Sequence, residues 1–274
     1  MLTQTVHHAY NNVVASHYDR DPQTVIGPSL DRAVNQLRKQ RLVGDGAGPL
    51  RALDLGMGTG LFLAKLKALG GEQVQPFGLD LAENMVENAR RKIPDLTAEV
   101  GNAANLEAHF PGQTFDCIST HFITGFVPMS VLAPKIWARL EEGGHWSLAG
   151  GTKGAYPALQ AKANSKLLRR LAGARSKNVR DEFINPADLA EVVRTLEAHG
   201  FEVCEGETFE PPLDFRNFNE FMDYAYTGGW LTPAIEEVGL HKAGFIKRWL
   251  INRLIFPLKD HHSIAITLAR KVKK

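Results

Sequence analysis

Short apolar runs alternate with amphipathic stretches through the middle and C-terminal parts of this chain. Runs bounded by glycine, proline or polar turns predict strands over 51–55, 76–81, 97–100, 115–121, 145–150, 202–207 and 263–269. Stretches whose apolar positions recur every three or four residues predict helices over 61–69, 82–92, 104–109, 131–142 and 186–199. The last of these has a start signal, Asn185 as N-cap with Pro186 in the first turn, and a stop at Gly200. Such alternation predicts an α/β fold, a mainly parallel sheet with helices on both faces.

Three stretches fall outside the alternation. Residues 5–18 predict a helix with Val6, Tyr10, Val13 and Val14 on one face; Asp19-Arg20-Asp21-Pro22 breaks it, and a second helix follows over 29–40. Residues 1–48 therefore read as an N-terminal helical cap on a single domain of 274 residues. Residues 156–184, with a basic helix over 157–175, and residues 209–262 read as insertions over the substrate side. The second insertion holds most of the chain's late aromatic residues, among them Phe218, Phe221, Tyr224, Trp230, Trp249 and Phe256. Phe218, Phe221, Met222 and Ala225 share helical spacing and predict a face packed on the sheet or a second subunit. Because 209–262 leaves and rejoins the sheet near one crevice, it also suits a lid over an apolar compound. Within it, 242–256 sets Phe245, Ile246, Trp249 and Leu250 beside Lys247, Arg248 and Arg253. A lid or subunit helix is expected there, with contact to a membrane surface or carrier protein as the alternative.

Composition narrows the function classes. Hydrophobic residues make up 44% and charged residues 23%, ordinary values for a globular protein, and the net charge of +2 leaves no nucleic-acid footprint. No apolar run approaches the ~18 residues that membrane insertion requires. Cys117 and Cys204 both fall in predicted strands and no secretory leader is visible, so both are expected as buried hydrophobes in a reducing cytoplasm.

The candidate chemistry begins at Leu53-Asp54-Leu55-Gly56-Met57-Gly58-Thr59-Gly60. A buried strand runs into a turn with glycines at alternate positions, and a helix starts at Leu61. Glycine permits positive φ and lets a ligand lie on the main chain, while the helix start offers unpaired N–H groups. Asp54 is a poor neighbour for a phosphate and a good one for a cationic amine. The spacing also places Leu61 where a dinucleotide turn needs its third glycine. Asp80 closes the second strand and can accept from the hydroxyls of a ribose. Met85 lies about one turn further on, where its sulfur suits an adenine face. Asn102 and Ala103 end the third strand, placed to read an adenine edge.

These residues resemble the class I S-adenosylmethionine-dependent methyltransferases, in the small-molecule branch of ubiquinone- and menaquinone-type enzymes. Leu53 to Gly60 is similar to that family's first motif, and Gly78-Leu79-Asp80-Leu81-Ala82-Glu83-Asn84-Met85 to its second. Phe115-Asp116-Cys117-Ile118 and Leu140-Glu141-Glu142-Gly143-Gly144 resemble the approaches to its fourth and fifth strands. The resemblance implies a doubly wound, Rossmann-like sheet of seven strands with the last antiparallel, and S-adenosylmethionine as cofactor. It implies that Asp54, Gly56, Met57, Gly58 and Gly60 face the methionine end, Asp80 and Leu81 the ribose, and Met85, Asn102 and Ala103 the adenine. Asn102 stands where the family usually has Asp. Tyr18, followed by Asp19, resembles a Tyr-Asp that closes over the cofactor, and Thr120 completes the cofactor-binding set.

His121 ends the fourth strand beside the expected sulfonium position and is the candidate general base. His145 is expected at the surface. Asp260-His261-His262 lacks a third clustered ligand, so no metal is expected. The activity implied is methyl transfer to a hydrophobic small-molecule acceptor, O-methylation of an aromatic or polyketide-like compound first. C- or N-methylation, a cyclase or non-catalytic subunit on the same fold, and a nicotinamide oxidoreductase are the alternatives, and a homodimer is possible.

Overall fold

The structure is a computed structural model that describes residues 2–163 and 184–272. Its main sheet comprises β1 (Leu50–Leu55), β2 (Val74–Asp80), β3 (Thr97–Val100), β4 (Phe115–His121), β5 (Leu140–Gly151), β6 (Phe201–Phe209) and β9 (Ile264–Lys271). The seven strands lie in the order β3-β2-β1-β4-β5-β9-β6. β9 is antiparallel to both its neighbours, whereas β3, β2, β1, β4 and β5 pair in parallel. The doubly wound Rossmann-like sheet of seven strands is therefore present, with its last strand antiparallel. The order reverses direction between β1 and β4, and ligands in such sheets bind beyond the carboxyl ends of the strands at that switch point.

Alternation along β1 sorts the two cores. Ala52 joins Phe62, Leu63 and Leu66 of α3 (Leu61–Gly70) and Leu30 and Leu37 of α2 (Ile26–Lys39) on one face. Leu53 and Leu55 join Ile118, Trp146, Leu132 and Ile136 on the other, beneath α5 (Met129–Arg139). Asp54 follows the parity of Ala52 and so points to the α2–α3 side, buried at 2% exposure.

Several boundaries differ from expectation for identifiable reasons. β5 starts at Leu140, not 145, because Leu140 pairs with Phe115 before a register shift at the Gly143-Gly144 pair, where Gly143 has φ +77°. His145 is thereby a mid-strand residue opposite Arg270, and it is buried rather than at the surface. Cys204 sits at a bulge between Val203 and Glu205 and is half-buried, not a core residue. The helix expected from Asn185 begins at Leu189 (Leu189–Ala198), with Asp188 accepting from Glu191 N at 2.8 Å while Glu191 accepts from Ala187 N at 2.6 Å. Asp188 caps the helix while Glu191 reaches back to the amide before it, and this pair outcompetes the proline signal upstream. Of the basic helix expected over 157–175, Pro157–Ala163 is helical; residues 164–183 lie outside the described residues.

The stretch 209–262 is pinned at its base. β7 (Pro212–Phe215) and β8 (Leu258–His261) pair antiparallel, joining its first and last residues in a second, two-stranded sheet. Both runs are four residues long, too short for period-two patterning to mark them.

Candidate functional site

The glycine turn after β1 is held from the β2 side. Gly56 N and Met57 N both donate to Leu79 O, at 2.7 and 3.1 Å, and Gly56, Gly58 and Gly60 have φ of +69°, +55° and +79°. Met57 folds its sulfur into the space left by Gly78, where a Cβ would stand 2.0 Å from Met57 Sδ. Gly78→Ala is expected to force the 5%-exposed Met57 out of its seat and cost about 1–3 kcal/mol in urea unfolding. An unchanged midpoint would show that the Met57 side chain relaxes freely. Asp80 completes the turn: Oδ2 accepts from Gly58 N at 2.8 Å and Oδ1 from Ala82 N at 2.9 Å. Burial pushes its carboxyl up from the usual range, against the opposing pull of the Ala82, Gly58 and Leu81 amides.

Asp54 Oδ1 accepts from Ser119 Oγ at 2.7 Å. Burial raises its carboxyl to about 7, with Ser119's hydroxyl pulling down and Asp80's charge pushing up. A carboxylate this buried, with a hydroxyl rather than a cation beside it, is poised to accept positive charge.

The N-terminal segment lies across this pair of carboxylates. The ring of Tyr18 covers Gly58, where a Cβ would come within 3.3 Å of Tyr18 Cε1. Burial, then Tyr10, Asp80 and Asp54, drive its phenol well above the ordinary range. Asp19 fastens the segment to the turn, accepting from Thr59 Oγ1 and from Lys92 Nζ, the latter at 2.8 Å. Asn11 exchanges two hydrogen bonds of 2.8 Å with Asn84, and Asn88 Nδ2 donates to Ala15 O. Met85 is fully buried beneath this segment with Val14 and Ala15.

The other expected residues are placed as follows. Asp54, Gly56, Met57, Gly58, Asp80, Leu81 and Tyr18 come together, and Gly60 seats the turn on Ala89 and Ile93. Asn102 ends β3, its Oδ1 accepting from Ala104 N at 2.9 Å as an N-cap, with Ala103 next to it. Thr120 turns to the opposite face of the sheet, where its hydroxyl accepts from Trp146 Nε1 at 2.8 Å in the core. His121 lies 4.2 Å from the ring of Phe62, its Nε2 3.1 Å from Ser147 Oγ, and Nδ1 has no partner among the described residues. Desolvation lowers its imidazole to about 3, which makes it a weak base at neutral pH.

A second cluster lies at the carboxyl ends of β4 and β5. Phe122, with φ +62°, meets Trp230 edge-on at 5.0 Å, and Trp230 meets His262 at 4.5 Å and stacks on Tyr224 at 5.7 Å. His262 Nδ1 is 2.9 Å from Tyr224 Oη and 3.1 Å from Tyr156 Oη, and those oxygens are 3.1 Å apart. Burial lowers the His262 imidazole to about 3 as well. Tyr10 Oη donates to Gly229 O at 3.0 Å, so the stretch carrying Trp230 is tied to the same N-terminal segment that covers Gly58. Sequence reading weighed His262 as a metal ligand and missed Tyr156 and Tyr224, which arrive from distant positions. A groove of 340 Å³ between Arg248 and Phe218, Met222 and Tyr226 lies within the 209–262 stretch and shares no residue with either cluster.

A family described as a methyltransferase domain matches residues 52–144. The ubiquinone/menaquinone biosynthesis C-methyltransferase UbiE of Yersinia pestis (strain Pestoides F) is 39% identical over 77 residues, which cover 26% of this chain and 30% of that protein. Among solved structures, the YcgJ protein of Bacillus subtilis superposes with a TM-score of 0.56 at 17% identity, over 89% of this chain and all of that one (100%). Phosphoethanolamine N-methyltransferase 2 of Haemonchus contortus, solved in complex with S-adenosyl-L-methionine, gives 0.51 at 17% identity over 89% and 53%. At these identities the structural likeness speaks for the fold.

Proposed function

We propose that this chain, a member of the class I S-adenosylmethionine-dependent methyltransferases, transfers a methyl group to a hydrophobic small molecule, an acidic aromatic or enolic hydroxyl first of all. The observation that carries the reading is Asp54, a carboxylate buried at 2% exposure and raised to about 7, set at a turn whose three glycines take positive φ. Its carboxylate oxygens fit a ligand with a positive, hydrogen-bond-donating end.

S-adenosylmethionine supplies a methyl group on a positively charged sulfur, activated before the protein acts. Asp54 would hold the cationic methionine end, with Gly56, Met57, Gly58 and Gly60 as the wall beside it. Asp80 and Leu81 would hold the ribose, and Asn102 and Ala103 the adenine edge. Tyr18 would exclude water from above, held by the contacts of Asp19 to Thr59 and Lys92. Met85 and Thr120 would act from behind this wall, one supporting the N-terminal segment and the other bracing β4 against Trp146.

Phe122, Trp230, Tyr156, Tyr224 and His262 would form the acceptor side, an aromatic surface with hydroxyl groups at one end. Alignment of donor and acceptor then supplies most of the rate, and exclusion of water protects the reaction. The low basicity of His121 and His262 favours acceptors that ionise unaided, such as acidic phenols and enols. His121, closed over by Phe62, would position β4, in place of the general-base role that its place at the strand end suggests. C-methylation of an electron-rich ring is the second reading, favoured by the C-methyltransferase that shares 39% identity over 77 residues.

The test is incubation with methyl-labelled S-adenosylmethionine and a panel of acidic phenols, hydroxyquinones and enolic polyketides. Labelled methoxy product is expected, identified by mass and carbon NMR. Cofactor binding by calorimetry without turnover of any acceptor would point to a cyclase or a non-catalytic subunit. Tight binding of NADH in place of S-adenosylmethionine would sink the reading entirely.

A further inference from the structure

The helix α10 (Phe245–Ile255) has no buried residue, although it is apolar on nearly every side. Phe245 is 83% exposed, Ile246 73% and Trp249 54%, and these three share the outward side of the helix with Arg253. A surface helix ordinarily turns its apolar stripe inward, so an outward one marks an interaction face. The helix is nevertheless anchored: Asn252 Oδ1 accepts from Phe218 N at 2.7 Å, and Arg248 Nε donates to Ala243 O at 2.9 Å with its guanidinium over the Phe218 ring. The large side chains of this helix, expected from sequence as a lid or subunit helix, face away from the protein.

Charge decides what covers them. Residues 238–259 contain no Asp or Glu, and five cations stand among them: Lys242, Lys247, Arg248, Arg253 and Lys259. Lys242, Lys247, Arg248, Arg253 and Lys259 are all exposed. A second copy docked here through a two-fold axis would bring cations against cations. An anionic bilayer presents the complementary charge, and its interface accepts aromatic and aliphatic side chains from a helix lying in the plane. At 11 residues the helix is about 17 Å long, too short to cross ~30 Å of hydrocarbon, so it can only lie at the surface.

We propose that α10 docks this protein peripherally on anionic membranes, with Phe245, Ile246 and Trp249 entering the interface and Lys242, Lys247 and Arg253 meeting lipid headgroups. The docking needs neither methyl donor nor acceptor, so it stands or falls independently of the function proposed above.

Co-sedimentation of the full chain with phosphatidylcholine vesicles and with equimolar phosphatidylcholine–phosphatidylglycerol vesicles tests it. Binding to the mixed vesicles is expected, at least about tenfold tighter than to phosphatidylcholine alone and weakened by molar salt. A blue shift of tryptophan emission should accompany binding and vanish in Trp249→Phe. Phe245→Ser with Trp249→Ser should abolish binding while leaving the circular dichroism and thermal midpoint unchanged, because both side chains face solvent. Should that variant unfold, Lys242→Gln with Lys247→Gln and Arg253→Gln carries the test, through selective loss of the anionic-lipid preference. Equal or absent binding to the two vesicle types would overturn the proposal. So would a concentration-dependent dimer in sedimentation that Phe245→Ser with Trp249→Ser dissolves.

Discussion

Asp54→Asn is expected to weaken S-adenosylmethionine binding by two to three orders of magnitude while making the ligand-free protein more stable above neutral pH. The two effects have one cause. Asn keeps an oxygen that can accept from Ser119 Oγ, so the local geometry survives, but the charge is gone. In the free protein that charge is a liability. The carboxyl goes from 3.8 to about 7 on burial, so the folded state prefers the protonated form. For a carboxyl raised on folding, the stability it contributes is fully present below its unfolded value. It is lost as pH climbs through the folded one. The window is therefore pH 3.8 to about 7, and the loss across it is at most about 4 kcal/mol. The Asn variant escapes that loss, so its urea-derived stability should match wild type near pH 4 and exceed it at pH 8. Binding runs the other way. A cation seated on Asp54 recovers the charge, and removing one partner of a buried ion pair costs about 3–5 kcal/mol. In the native protein, affinity should also fall about tenfold for each pH unit below 7, because the ligand must expel a proton to bind. Calorimetry across pH 5 to 8 checks both, and a pH-independent constant that Asp54→Asn leaves unaltered would remove Asp54 from the cofactor site.

The sheet and the turn were legible because both are local. Alternating short apolar runs and amphipathic stretches set the seven strands within a few residues, and Leu53 to Gly60 and Gly78 to Met85 carry their spacing in contiguous sequence. Side-chain direction was less legible where a strand is buried on both faces. β4 reads Phe115-Asp116-Cys117-Ile118-Ser119-Thr120-His121, and its apolar residues reveal no parity; pairing with β1 is what turns Ser119 to Asp54 and Thr120 to Trp146. His121 shares the parity of Ser119, yet Phe62 from α3 closes over it, a contact no local pattern encodes. Least legible was anything assembled from distant segments. Tyr156, Tyr224 and His262 meet across separations of 68, 38 and 106 residues, and Asp19 finds Thr59 across 40. Asp188-x-x-Glu191 is the opposite case, a capping signature present in the sequence and passed over in favour of Asn185-Pro186.

The same distance in sequence links the two sides of the crevice, since one N-terminal segment touches both. Tyr18 covers Gly58, Tyr10 holds Gly229, and Gly229 precedes Trp230 of the aromatic cluster. The contact over Gly58 and the contact that seats Gly229 thus belong to one packed segment.

Asp80→Ala should act twice. It removes the acceptor for Gly58 N and Ala82 N, and each part-buried amide left without a partner costs about 1–3 kcal/mol, so the thermal midpoint should drop. It also removes the group assigned to the ribose hydroxyls, which should raise the dissociation constant for S-adenosylmethionine at least tenfold, about 1.4 kcal/mol or more. Adenosine separates this from the Asp54 effect, because it has the ribose and lacks the methionine end. Asp80→Ala should weaken adenosine and S-adenosylmethionine by similar factors, whereas Asp54→Asn should weaken S-adenosylmethionine and spare adenosine. Asp80→Asn, which keeps one acceptor oxygen for the turn, should recover most of the thermal midpoint and little of the affinity. If adenosine bound Asp80→Ala as tightly as wild type, Asp80 would be a brace for the glycine turn and no part of the ribose site.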